Sequence, residues 1–94
     1  MNSYETLFIV NPNVTEEELD AEIAKVQAVI ETAGEVKSTD KWGKRKLAYE
    51  INKVNEAYYT LITFDAQPGV LDELNHIYRI TENIFRGIYI KLDK

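Results

Sequence analysis

Residues Tyr4–Ile23 read YETLFIVNPNVTEEELDAEI, and the hydrophobic period changes inside this stretch. Tyr4–Val10 is rich in β-branched and aromatic residues, which favours a strand, and Asn-Pro-Asn is typical of the turn that ends one. Thr15 and Glu18 then have the spacing of a capping box, in which each side chain satisfies a backbone N–H of the other residue. The stretch therefore predicts a strand, a tight connection and a helix that begins after Thr15.

The rest of this helix is predicted by an apolar stripe. Hydrophobic residues recur at steps of four and three, as on one face of a helix: Leu19, Ile23, Val26, Ile30 and Ala33. Gly34 follows the stripe and is predicted to stop the helix, because glycine adopts the left-handed conformation common at helix ends.

The second half repeats the alternation of strand and helix. Val36–Ile51 and Tyr58–Phe64 are predicted to form a long hairpin, with a polar turn at residues 52–57. A second helix follows Pro68, which suits a helix entrance, and its apolar stripe is Val70, Leu71, Leu74, Ile77 and Tyr78. Ile84–Leu92 is the last predicted strand.

The predicted order is strand–helix–strand–strand–helix–strand. Two such halves with right-handed crossovers give an α+β fold of the ferredoxin-like βαββαβ type. We expect one domain over residues 1–94, with a four-stranded antiparallel sheet, the first and third strands in its centre and both helices on one face.

Composition narrows the class of protein. The chain has 94 residues, 45% hydrophobic and 29% charged, and no cysteine, which excludes disulfides, thiolate metal sites and cysteine nucleophiles. We find neither a signal-peptide pattern nor a transmembrane segment, so we expect a cytoplasmic protein without membrane contact. The net charge is −5, yet residues 41–53 hold five cations against one carboxylate, which indicates a local anion contact.

An apolar pattern on the far side of the sheet predicts a protein partner. If Phe8, Ile62 and Phe64 point to the helices, a second set of apolar side chains points away from them: Leu7, Ile9, Tyr59, Leu61, Ile88 and Ile90. A contiguous apolar patch on a small domain commonly marks a partner surface. The alternative is that these apolar residues are ordinary exposed residues of a small domain and are covered by longer side chains.

The basic stretch 41–51 reads KWGKRKLAYEI. On a strand, Lys44, Arg45 and Lys46 would project to both faces and bracket a phosphate backbone. Trp42 and Tyr49 offer flat rings for stacking on unpaired bases. The alternative is that the cations protect an edge strand from aggregation while the rings pack on the domain.

Signals for an enzyme are weak. His76 stands alone, mid-way along the second predicted helix, and we find no glycine-rich phosphate loop, H-E-x-x-H or EF-hand spacing. We therefore expect no catalysis, metal ion, cofactor or small-molecule substrate.

A family resemblance is more specific than these patterns. KWGKRKLAYEINK at residues 41–53 resembles the signature of the bacterial small-subunit ribosomal protein six family. Three further segments are similar to the same family: MNSYETLFIVNPN at the start, EAYYTLITFDAQP at residues 56–68 and YRITENIFRGIYIK at residues 78–91.

The resemblance implies a ferredoxin-like, non-enzymatic protein of the small subunit's platform. It implies binding to small-subunit rRNA together with small-subunit ribosomal protein eighteen, as a heterodimer. With the stacking residues above, the RNA-binding set is Tyr4, Lys41, Trp42, Lys44, Arg45, Lys46, Tyr49, Arg79 and Arg86. Many members have basic residues where this chain has Asn2 and Ser3, so a phosphate contact there is expected to be weaker or to shift to the hairpin.

Three other functions fit the same fold. A single-strand RNA binder of the RNA-recognition-motif type needs a basic–Gly–aromatic–Gly motif that residues 56–64 lack. An acylphosphatase-like enzyme needs an anion-cradling loop where NPNVTEE places carboxylates. A ligand-sensing domain that oligomerises through its bare sheet face stays open as an alternative.

Overall fold

The secondary structure follows the predicted order. A computed structural model describes residues 2–51 and 54–92, with only the backbone of Tyr49 and Ile51. The elements are β1 (Asn2–Val10), α1 (Glu16–Glu31), β2 (Gly34–Ile51), β3 (Val54–Ala66), α2 (Val70–Ile80) and β4 (Ile84–Lys91). In the part of the chain so described, neither helix is long and apolar enough to cross a membrane.

The four strands form one antiparallel sheet in the order β2-β3-β1-β4. This order confirms that the first and third strands are central. Alternate residues of β1 are buried, and they share one core with the apolar stripes of both helices. Both helices therefore cover the same face of the sheet, and we call the other side the open face.

Helix α1 begins as its sequence predicts. The Thr15 side chain accepts a hydrogen bond from the Glu18 backbone N–H at 3.1 Å, and the Glu18 carboxylate accepts one from the Thr15 N–H at 3.0 Å. The predicted stop at Gly34 is wrong, because the helix ends at Glu31 and Gly34 already pairs with Ala66. A Cβ at Gly34 would lie 2.0 Å from the carbonyl oxygen of Asp65, so this glycine permits close strand pairing instead.

The hairpin between β2 and β3 is longer than predicted. Tyr58–Phe64 was expected as the strand after a turn at residues 52–57, but β3 already begins at Val54. The two strands stay paired through this segment, since Lys44, Arg45 and Lys46 pair with Tyr58, Ala57 and Glu56. Strand pairing thus overrides the polar composition of this segment.

A buried hydroxyl pair locks helix α2 onto the sheet. Thr6 Oγ1 lies 2.6 Å from the Tyr78 hydroxyl and donates to the Ile88 carbonyl at 2.8 Å. Because the single threonine proton goes to that carbonyl, the Tyr78 hydroxyl is the donor to Thr6. Burial also raises the pKa of Tyr78 above its usual value, so the group stays protonated and keeps this donor.

Gly87 gives the Tyr78 ring its place against β4. A Cβ at Gly87 would lie 2.2 Å from the ring. We expect Gly87→Ala to lower the free energy of unfolding by about 1–3 kcal/mol, the usual cost of overpacking, in urea denaturation followed by circular dichroism. Gly69→Ala is the control, because no atom lies within 4 Å of its Cβ position; equal losses for the two variants would contradict the packing argument.

Candidate nucleic-acid and protein interfaces

The basic arm, which we define as Lys41–Lys46 of β2, begins at a β-bulge. The pairing with β3 shifts between Lys41 and Gly43, and Gly43 has a φ of 81°. This positive φ is the conformation that glycine adopts without steric cost. Bulges bend a strand and redirect its side chains, so the bulge sets the direction of the cations that follow.

The three adjacent cations of the arm point to both faces of the hairpin. Lys44 and Lys46 alternate with Arg45 along β2, and all three side chains are exposed. Lys44 Nζ lies 5.4 Å from the centre of the Tyr58 ring, while the Arg45 guanidinium lies 5.6 Å from the centre of the Trp42 ring. Alternation in a strand thus confirms that the arm presents positive charge on two sides.

Lys41 has a different environment from the rest of the arm. It lies opposite Thr60, and its ammonium donates to Asp20 of α1 at 2.6 Å. This hydrogen bond raises the pKa of Lys41. Both side chains are largely exposed, so the pair ties β2 to α1 without withdrawing the cation from solvent. A contact between Lys41 and RNA stays a prediction.

Trp42 packs on the domain. Its ring stacks on the Tyr59 ring, with an interplanar angle of 7° and a distance of 6.2 Å between the ring centroids. The Trp42 Nε1–H donates a hydrogen bond to the Asp40 carboxylate at 3.1 Å. The ring is still 38% exposed, so part of its surface is accessible to a base. The side chain of Tyr49, the other predicted stacking residue, lies outside the described residues.

The open face gathers the six apolar side chains predicted for it. The register places Leu7 between Leu61 and Ile88, and it places Ile9 between Tyr59 and Arg86. A hollow of about 150 Å³ lies among these side chains, and its wall consists of Glu5, Leu7, Leu61, Ile88, Tyr89 and Ile90. Ile88 and Ile90 pair with Leu7 and Glu5 and are 53% and 55% exposed, so they point away from the helices, while docking there stays a prediction.

The Tyr4 side chain lies in the core. Its ring is 3% exposed and packs on Phe64, with centroids 5.5 Å apart. Tyr4 lines neither of the surfaces described above and is a core residue of the helix-covered face. This burial leaves the Tyr4 ring no free face for base stacking, and an RNA contact by this residue stays a prediction.

The two predicted arginines are not brought together. Arg79 lies in the last turn of α2, on the helix side of the sheet, whereas Arg86 pairs with Ile9 in the row that lines the open face. Both are exposed. Their RNA contacts stay predictions.

Sequence reasoning missed two residues of the open face. Glu5 and Tyr89 both line the hollow, and Glu5 is the one charged side chain among the described residues that line it. Glu5 could have been found, because its position in the alternation of β1 is that of Leu7 and Ile9. Tyr89 carried no such signal, since it pairs with Thr6, whose side chain points to the helices.

The structure offers no metal-binding arrangement within residues 2–51 and 54–92, since no three His, Cys, Asp or Glu side chains there are grouped suitably. His76 is exposed on α2.

Comparisons with known proteins agree with this architecture. The family model described as Ribosomal protein S6 matches residues 3–91. The small ribosomal subunit protein bS6 of Clostridium kluyveri is 52% identical over 95 residues, covering all of both chains. That of Clostridium acetobutylicum is 47% identical with the same coverage.

A solved structure is also similar. The crystal structure of 30S ribosomal protein S6 from Thermotoga maritima has a TM-score of 0.91 and 39% sequence identity, covering 97% of this chain and 87% of that one. The family model matches nearly the whole chain, and the Clostridium kluyveri relative is 52% identical over its full length. The chain therefore belongs to the ribosomal protein S6 family.

Proposed function

We propose that the chain binds small-subunit rRNA cooperatively with small-subunit ribosomal protein eighteen during assembly of the platform, as one ferredoxin-like domain without catalytic activity. The family consists of structural proteins of the small ribosomal subunit, so the chain is ribosome-associated in the cytoplasm. Two surfaces have separate roles: the basic arm contacts RNA, and the open face binds the protein partner.

One observation carries the cooperative part of this proposal. The basic arm and the open face adjoin at Tyr59, which pairs with Gly43 across the strands and stacks on the Trp42 ring. Trp42 belongs to the arm and Tyr59 to the open face, and Arg45 lies over the same Trp42 ring. A partner that covers Tyr59 therefore also restrains the ring beneath an RNA-binding cation, which lowers the entropy lost when RNA binds.

The charge distribution favours a shared RNA site. The chain carries −5 overall, so most of its surface repels a polyanion, and the arm alone supplies a small attractive patch. A basic partner on the open face would extend that patch. Glu5, half-buried in the hollow of this face, suits a cationic side chain of such a partner.

The test is rRNA affinity measured with and without the partner. A fluorescently labelled platform fragment of small-subunit rRNA is titrated with this protein alone, with protein eighteen alone, and with both. We expect weak binding by this protein alone and much tighter binding by the pair. Equal affinity of this protein for the fragment in the presence and absence of protein eighteen would contradict cooperative binding.

Analytical ultracentrifugation addresses the remaining alternative. If the open face instead joins two copies of this chain, the protein will form dimers at micromolar concentration and show no affinity for rRNA under any of these conditions. The proposal requires a monomer that forms a heterodimer with protein eighteen.

A further inference from the structure

A cleft on the helix side of the molecule, away from the open face, contains a buried carboxylate with an unpaired oxygen. The cleft has a volume of about 630 Å³ and lies between α1 and the end of α2. The Glu22 side chain is one of its walls and is only 8% exposed. Glu22 Oε1 accepts a hydrogen bond from Lys25 at 3.0 Å, but Oε2 is buried without a partner among the described residues.

An unpaired buried carboxylate oxygen is costly, because burial removes its water and nothing replaces the lost hydrogen bonds. Native structures rarely leave such an atom without a reason, and an absent binding partner is one such reason. The group that would relieve this cost is a cationic hydrogen-bond donor.

The other walls of the cleft favour the same kind of group. Glu82 adds a second carboxylate, and Asn83 adds an amide. The cleft also adjoins the carboxyl-terminal end of α2, which ends at Ile80, and the helix dipole favours cations at that end. Ile80 is exposed beside these groups and offers apolar surface to an aliphatic chain.

We propose that this cleft binds an arginine side chain from a basic segment of a protein partner. The guanidinium would donate to Glu22, and its methylene groups would cover Ile80. Arginine fits better than lysine, because its planar fork can engage both oxygens of one carboxylate. Charge complementarity disfavours RNA as the occupant, since two carboxylates, Glu22 and Glu82, line the cleft.

Lys25 has a defined part in this proposal. It occupies one Glu22 oxygen, yet its own side chain is half-exposed, so it can turn into solvent at little cost. Lys25 thus acts as an internal competitor for the site. The two substitutions Glu22→Gln and Lys25→Gln should therefore change arginine binding in opposite directions.

The probe is N-acetyl-L-arginine amide, titrated into the isotope-labelled full chain while backbone amide signals are followed by NMR. N-acetyl-L-citrulline amide is the control ligand, because it has nearly the same shape without the charge. We expect the arginine probe to shift the signals of Glu22, Lys25, Glu82 and Asn83, and citrulline to leave them unchanged. Glu22→Gln should weaken binding by roughly tenfold or more, and Lys25→Gln should strengthen it several-fold.

Glu31→Gln is the matched control, since Glu31 is an exposed carboxylate of the same helix and is not a wall of the cleft. It should bind the arginine probe as the unmodified protein does. Equal shifts with citrulline, unchanged binding by Glu22→Gln, or shifts centred on another surface would each overturn the proposal. Neither RNA nor protein eighteen is present in this assay, so its outcome is independent of the proposed function.

Discussion

Replacement of Lys44, Arg45 and Lys46 by alanine is expected to weaken rRNA binding by the assembled pair on the order of 100-fold at moderate salt. The three side chains are exposed, lie next to one another and point to both sides of the arm. Each phosphate contact releases counterions from the RNA, so the loss of three contacts should reduce the slope of log affinity against log salt by about 2–3 units. The measurement is the anisotropy titration repeated at a series of salt concentrations.

The control for this experiment removes the same number of charges elsewhere. Lys25, Lys37 and Lys91 lie outside the arm, and their replacement by alanine changes the net charge by the same amount. If the phosphate contacts are confined to the arm, this control variant will keep most of the salt dependence of rRNA affinity. An unchanged slope in the arm variant, or equal losses in both variants, would remove the arm from the RNA interface.

Leu61→Asp is expected to weaken binding to protein eighteen by roughly 30-fold or more, the effect of losing an interface residue that contributes about 2 kcal/mol. Leu61 is half-buried in the centre of the open face, opposite Leu7, and lines its hollow. A carboxylate there would lose its water when the partner docks, without an arranged cation to replace it. Isothermal titration calorimetry with the purified partner measures the change.

Two controls separate docking from folding. Leu61 lies outside the buried core, so we expect Leu61→Asp to retain the circular dichroism spectrum and cooperative thermal unfolding of the unmodified protein. Ala28→Asp places the same charge on an exposed position of α1 and should bind the partner normally. Wild-type affinity of a folded Leu61→Asp protein would mean that the partner does not use the open face.

The rRNA affinity of this protein without its partner should be nearly unaffected by Leu61→Asp, whereas the gain on adding the partner should largely disappear. The arm variant should instead lose rRNA affinity both with and without the partner, because its phosphate contacts are missing under both conditions. The two variants together therefore distinguish the roles that we assign to the two surfaces.

The sequence predicted the order of elements because local physics determines it here. The reciprocal bonds between Thr15 and Glu18 involve residues three positions apart, and the stripe on α1 needs only a helical period. The alternation along β1 and β3 likewise predicted which side chains lie on the open face, since neighbouring strand residues point to opposite sides.

Errors arose where a distant segment determines the outcome. Gly34 matches a helix stop in sequence, but its pairing with Ala66 across the sheet is what requires a glycine. The burial of Tyr4 also depends on a distant segment, since its ring packs on Phe64 of β3, and the family motif alone carries no such information. Glu22 gave a usable signal, since it interrupts the apolar side of α1 between Leu19 and Ile23, yet only the tertiary structure showed that one of its oxygens is unpaired.

By itself, the sequence determined the fold, the position of the basic arm and the apolar character of the open face, because caps, periodicity and local charge act between residues that are close in the chain. Only the tertiary structure decided that Trp42 packs on Tyr59, that Lys41 pairs with Asp20 and that Glu22 lines a cleft beside the end of α2. These contacts join residues far apart in sequence, and their geometry depends on the β-bulge, the strand register and the packing of both helices on one face.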